Sequence, residues 1–211
     1  MPELPAAPIT ACRFLEDFVP GAFAELTGGR RLPGTDLELG FVLLGEGGGE
    51  WVYRVRDGAL EVVRAGRNDA TLTVIQSVDD WRGALWEGRG GIFGRTVTSL
   101  LSGAAVGRLS EAARERAPSF EALEPIRALE GLVRVVLAGD LGGDWSLEIK
   151  LGPGAIPDEP SATLTIEAED AAAIERGELD ALQAFMAGRI EVMGDMTLVL
   201  QMQAVLMQAL R

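Results

Sequence analysis

One glycine-rich phrase occurs twice in this chain, and the repetition narrows what it can fold into more than any other feature. Val42 to Trp51 reads VLLGEGGGEW, and Val136 to Trp145 reads VLAGDLGGDW. Gly45, Gly48, Gly49 and Trp51 fall on Gly139, Gly142, Gly143 and Trp145, with Glu46 and Glu50 on Asp140 and Asp144. The flanks repeat too. Trp51, Tyr53 and Val55 alternate with polar residues after the first copy, as Trp145, Leu147, Ile149 and Leu151 do after the second. Period-2 alternation of this kind marks strands. DATLTV is then matched by SATLTI, with Ala162-Thr163-Leu164-Thr165 under Ala70-Thr71-Leu72-Thr73, and a helical stretch ends at Gly88 as another ends at Gly177. A structural unit is therefore duplicated, and each phrase reads as a tight antiparallel turn whose glycines supply positive φ.

The phrase is a poor phosphate loop. GEGGGE lacks the GxGxxG and GK[ST] patterns and leads into a strand, so no helix N-terminus awaits an anion. GRGGIFG, from Gly88, fails because it follows a helix.

Around the repeats the pattern predicts a helix over 10–26, kinked or split by Pro20, with Phe14, Leu15, Phe18, Val19, Phe23 and Leu26 on its periodic positions. Asp57-Gly58 predicts a two-residue hairpin. Helices are also expected over 78–88, 92–105 and 119–132. Two features of the second half lack a counterpart upstream: a strand-like RIEVMG and a final apolar helix with Asp195 as N-cap. Trp51 and Tyr53 share a strand face and read as core. Trp81 and Trp86 cannot both point squarely inward, which makes one of them a candidate for the contact between halves.

Charge and residue types exclude several function classes. Nineteen Lys and Arg against 32 Asp and Glu leave a formal net charge of -13, which argues against nucleic acid and anionic membrane surfaces. There is no His, so Ser-His-Asp and Cys-His triads and His-bearing metal sites are out, and Lys150 is the sole Schiff-base donor. Cys12 is alone, which fits a reducing, cytoplasmic compartment; MPELPAAPIT has neither the basic start nor the apolar core of a signal peptide. The longest uncharged run, Met196 to Leu210, is too short and polar to span a bilayer, so no stable membrane insertion is expected. Asp79, Asp80, Glu167, Glu169 and Asp170 read as residues that cap or precede helices.

The second half resembles the sterol carrier protein-2 family of lipid-binding domains. The resemblance rests on GDWSLEIKLG, on ATLTIEAEDAAAIERGELDALQAFMAGRIEVMGD, and on the closing MTLVLQMQAVLMQAL, and covers nearly all of residues 119–211. The first half is similar through GEWVYRVRDG, DATLTV and the helix ending at Gly88, then departs: the AF-x-x-G segment and the next strand are replaced by GIFGRTVTSLLSGAAVG. The first half is thus a degenerate copy. The resemblance implies an α+β protein with two lobes, 1–115 and 116–211. Each would be an antiparallel or mixed sheet of about five strands, covered on one face by helices, with an apolar tunnel between the layers.

Five of the six Met, Met186, Met193, Met196, Met202 and Met207, lie in the last 26 residues. Unbranched Met re-packs around varied apolar partners, and the final helix is apolar on nearly every side. The expected lipid site takes Phe185, Met186, Ile190, Val192, Met193, Met196, Leu198, Val199, Met202 and Leu206, over a floor of Leu147, Ile149, Leu164 and Ile166. Burying about twelve methylenes there is worth roughly 10 kcal/mol before losses, enough for micromolar binding without catalysis. The expectation is therefore a non-enzymatic carrier of an apolar lipid (fatty acyl, sterol-like or isoprenoid), with no cofactor. The alternative is an accessory protein presenting a quinone precursor or polyketide to partner enzymes. A partner enzyme or a homodimer completes the expected associations.

Overall fold

The computed structural model describes residues 4–27, 36–57, 59–64, 70–91, 93–94 and 126–209. Eight strands form one mixed sheet: β1 (Asp36–Leu44), β2 (Gly49–Arg56), β3 (Ala59–Arg64), β4 (Leu72–Ser77), β5 (Gly131–Ala138), β6 (Trp145–Leu151), β7 (Ala162–Glu167) and β8 (Ile190–Gly194). Their order is β3-β2-β1-β4-β6-β5-β7-β8. The expected α+β class holds, and each half has four strands among the described residues. Each half also borrows a fifth. β6 of the second half pairs antiparallel with β4 beside the first half's strands, and β4 lies against β6 beside the second half's. β6 thus stands next to β4 as β8 stands next to β7, in the place of the strand that the first half lacks in sequence.

Both glycine phrases are turns between antiparallel strands. Gly45 and Gly47 hold φ of 101° and 77° between β1 and β2; Gly139, Gly142 and Gly143 hold 67°, 83° and 115° between β5 and β6. Asp57 sits at φ 48° in the two-residue turn from β2 to β3, as the first position of a type I′ hairpin requires. The two hairpins differ by two residues in register. Phe41 faces Trp51 and Val74, whereas Leu137 faces Trp145 and Ile166, so with the tryptophans aligned the ATLT match holds and Phe41, not Leu43, takes the place of Leu137. A slip of two leaves every side chain on its original face, which is why the sequence pattern could not detect it.

Helices lie against one face of this sheet. In the first half α1 (Ala11–Arg13), a π-helical turn (Phe14–Phe18) and α2 (Val19–Thr27) run on without a break. The predicted disturbance at Pro20 takes the form of that π turn: the Val19 N–H bonds the Phe14 carbonyl, five residues back, just before the residue that has no N–H to give. α3 (Val78–Trp86) follows β4, capped by Ser77, whose Oγ accepts the Asp80 N–H at 2.9 Å. In the second half α4 (Ala168–Glu175) follows β7, α5 (Ala181–Met186) precedes β8, and α6 (Met196–Ala209) closes the described chain. The helix expected over 119–132 is corrected at its end, where 126–128 is a 3₁₀ turn and Gly131 opens β5; 119–125 and nearly all of 92–105 lie outside the described residues.

On the helix-covered face an apolar row crosses six strands: Trp51, Phe41, Val74, Ile149, Val133 and Ala162. The other face is polar, with Glu38 opposite Arg54 and Arg134 opposite Glu148, each pair joined by a salt bridge. Val42, Ile75 and Leu132 are buried there under Ile156, from the segment between β6 and β7.

The halves are fastened by more than the β4·β6 ladder. Trp145, fully buried, donates its indole N–H to the Asp80 carbonyl at 2.9 Å, and Gln76 reaches the Ser146 carbonyl at 3.0 Å. Arg89, 7% exposed, bonds Asp79 and Asp80 and also the Asp144 carbonyl, while the Gly90 N–H donates to Asp140 at 2.6 Å. So Trp145, not Trp81 or Trp86, is the tryptophan between halves. Trp81 is buried within the first half, and Trp86 bonds the Pro5 carbonyl there at 2.8 Å.

Candidate functional site

The floor residues Leu147, Ile149, Leu164 and Ile166 share the helix-covered face, because each strand offers alternate residues to it. β8 extends the floor: Ile190 faces Ile166 and Val192 faces Leu164. α6 is laid across by its N-cap, where the Asp195 carboxylate accepts the Leu198 N–H at 3.0 Å and the Asp195 N–H bonds Ser161. Leu198, Val199 and Met202 then turn inward, 5–7% exposed, onto Ile126, Val133, Leu151 and Ala162. Gly131, at φ 147°, permits this approach, since a Cβ there would stand 2.6 Å from a Leu198 methyl. Leu147 and Ile166 are buried, whereas Ile149, Leu164, Ile190, Val192 and Met196 are half-buried. These apolar side chains share the face or the helix over it while keeping part of their surface open.

One predicted residue is not brought to that face: Met193 alternates with Val192 and falls on the opposite face across from Thr163, 73% exposed. Met186 and Phe185, on α5, are 79% and 39% exposed. The side chain of Leu206 lies outside the described residues.

The corresponding face of the first half is filled by its own side chains. Phe14 and Leu15 are buried at 0 and 1%, and the Phe14 ring meets Trp81 and Trp86 edge-on at 5.4 and 5.7 Å. The Tyr53 hydroxyl donates to the Leu15 carbonyl at 2.7 Å, and burial pushes its pKa up. Glu16 gathers two donors, the Trp51 indole at 2.7 Å and Arg64 at 2.6 Å, and Arg64 also reaches Cys12 Sγ. No sequence spacing signals this cluster, since Glu16 and Arg64 are 48 residues apart.

The Glu16 carboxyl is lowered from 4.5 to about 2, first by the Trp51 hydrogen bond and then by Arg64 and Cys12. A depressed carboxylate stabilises the fold fully above its unfolded value and loses that contribution as pH falls toward its folded one. Glu16→Gln is therefore expected to be less stable than the parent at neutral pH, with the gap closing between pH 4.5 and about 2. Urea midpoints across that window check it; a constant gap would refute the role given to Glu16.

Two surface recesses, of about 330 and 230 Å³, lie beside the first glycine turn and α3, among Glu46, Val78 and Arg82. Neither touches the apolar face of the second half. Among the described residues no three Cys, Asp or Glu converge as metal ligands, and no helix is long and apolar enough to cross a membrane.

A mixed sheet with an apolar face under a C-terminal helix defines an α+β domain whose notable surface is hydrophobic. Residues 110–207 match the SCP-2 sterol transfer family. Hydroxysteroid dehydrogenase-like protein 2 of Xenopus tropicalis is 30% identical over 90 residues, 40% of this chain and 22% of the relative. Its Homo sapiens namesake is 25% identical over 88 residues, 39% and 21% of the two chains. The matched part thus spans about a fifth of the length of these curated relatives. Among solved structures, Sterol Carrier Protein 2 Like 2 from Aedes aegypti is 22% identical, covering 40% of this chain and 93% of its own, at a TM-score of 0.28. Sterol carrier protein domain 2 of Helicoverpa armigera is also 22% identical, covering 52% and 87%, at 0.32.

Proposed function

We propose that the second half binds the apolar chain of a lipid between its sheet and α6, without catalysis, and that the protein carries such a lipid. The observation that supports this most is the row of Ile149, Leu164, Ile190 and Val192, half-buried on the sheet beside Leu198, Val199 and Met202. A methylene chain laid along that floor gains about 0.8 kcal/mol per carbon, and no charged side chain need be desolvated to admit it. The match of residues 110–207 to the sterol transfer family supports the same reading.

The first half serves stability by supplying β4 to the edge of β6. The alternative role, presenting an apolar intermediate to a partner enzyme, draws support from the relatives, whose matched segment is a minor part of a chain named dehydrogenase-like.

Titration with a fluorescent fatty acid, displaced by oleate, tests the site. The parent protein is expected to bind in the micromolar range, and Met202→Trp to weaken binding at least about tenfold by filling the space with an indole. Its circular dichroism should be unchanged. Equal affinity in a folded Met202→Trp variant would remove the ligand from this face.

A further inference from the structure

The β8 end of the sheet leaves much apolar surface in water. Leu182 and Met186 on α5, Met193 on β8 and Leu200 on α6 are 66, 79, 73 and 56% exposed, with Phe185 at 39%. Among the described residues, only Leu44 and Leu141 are comparable large hydrophobics elsewhere. α5 and β8 are tied by the Arg189 N–H to the Ala184 carbonyl at 2.9 Å, and β8 pairs with β7 alone among the described strands. A single exposed Leu needs no explanation. Five such residues on three successive elements, with Met193 on one face of the sheet and the helices on the other, straddle a strand edge that no other described strand covers, the pattern of a docking surface around that edge.

The charges around them select the occupant. From Glu167 to Leu200 the chain has eight Asp and Glu against two Arg. Both Arg are already paired, Arg176 with Glu178 and Arg189 with Asp170, each at 2.7 Å. Glu169, Asp180, Glu191 and Asp195 are exposed. Two copies meeting here would set like charge against like, and an anionic bilayer would be repelled in the same way.

We infer that the β8 end docks a protein segment whose apolar anchors are flanked by Lys or Arg. The methionines adapt to the anchors, the carboxylates meet the cations, and the edge of β8 that no described strand covers can accept main-chain hydrogen bonds. This surface is separate from the lipid face: Met193 is on the far side of the sheet, and Met186 and Leu182 stand outside the row that α6 covers.

The test uses the full chain with methyl-labelled methionine and two synthetic peptides of equal length, one of leucine and lysine, the other of leucine and glutamate. The lysine peptide is expected to saturate in the micromolar range and to shift the Met186 and Met193 methyls while sparing Met202. Its affinity should fall about tenfold between roughly 0.05 and 0.3 M salt. It should fall by a similar factor in the double variant Met186→Ser/Met193→Ser, and about threefold in Glu169→Gln/Glu191→Gln. The glutamate peptide should not bind. Both double variants should keep the parent's thermal midpoint and fatty-acid affinity, which separates this surface from the lipid site. Lysine-peptide binding that survives Met186→Ser/Met193→Ser, or shifts centred elsewhere, overturns the inference. So does a concentration-dependent dimer, or binding to phosphatidylcholine vesicles, that the same double variant abolishes.

Discussion

Gly90→Val is expected to destabilise the protein by about 3 kcal/mol or more and to unfold both halves in one transition. Gly90 lies at φ 80°, which L side chains rarely adopt, and a Cβ there would stand 2.6 Å from the Trp145 ring. That ring is fully buried and bonded to the Asp80 carbonyl, so it cannot step aside without giving up a hydrogen bond. The Gly90 N–H is itself held by Asp140, and its neighbour Arg89 by Asp79, Asp80 and the Asp144 carbonyl. Strain at this residue therefore falls on the second glycine phrase and on α3 together. Urea unfolding followed by tryptophan fluorescence and by circular dichroism checks it: the two curves should coincide at a lower midpoint. Two separate transitions, or a midpoint equal to the parent's, would show that the halves are not joined through Gly90.

Separating the halves should have a larger effect still. Produced alone, residues 116–211 expose the whole edge of β6, whose Leu151, Lys150, Ile149 and Glu148 otherwise pair with β4. Trp145 loses its acceptor on Asp80 and Ser146 its bond from Gln76. Against a total stability of about 5–15 kcal/mol, such a loss leaves little. A bare strand edge also invites association. The fragment is expected to aggregate or to unfold at far lower denaturant than the intact chain, and residues 1–115 added in trans should rescue it. A monomeric fragment with well-dispersed amide signals and the parent's unfolding midpoint would contradict the shared sheet.

Much of the local architecture is legible in the residues. Strand alternation at Trp145 to Leu151, the Asp57-Gly58 hairpin and the Asp195 N-cap all report short-range physics, and the structure has each of them. The site was less legible. Met193 and Met186 stand in an apolar run that composition marks as interior, yet strand parity sends Met193 to the other face, and α5 leaves Met186 in water. Trp86 shows the same gap: helical spacing says that it and Trp81 differ in direction, but not that Trp86 would find the Pro5 carbonyl 81 residues away.

By itself the amino-acid order determined that a glycine-rich phrase recurs, where the turns fall, and which residues of each strand share a side, because φ angles and side-chain periodicity are properties of neighbours in the chain. How the two halves meet was decided only in three dimensions. Among the described residues the first half has no strand of its own beyond β4, and nothing in the pattern of β6 says that it will stand there. That edge pairing depends on backbone hydrogen bonds, which any strand can offer, and on Arg89, Gly90 and Trp145 fitting together from distant parts of the chain.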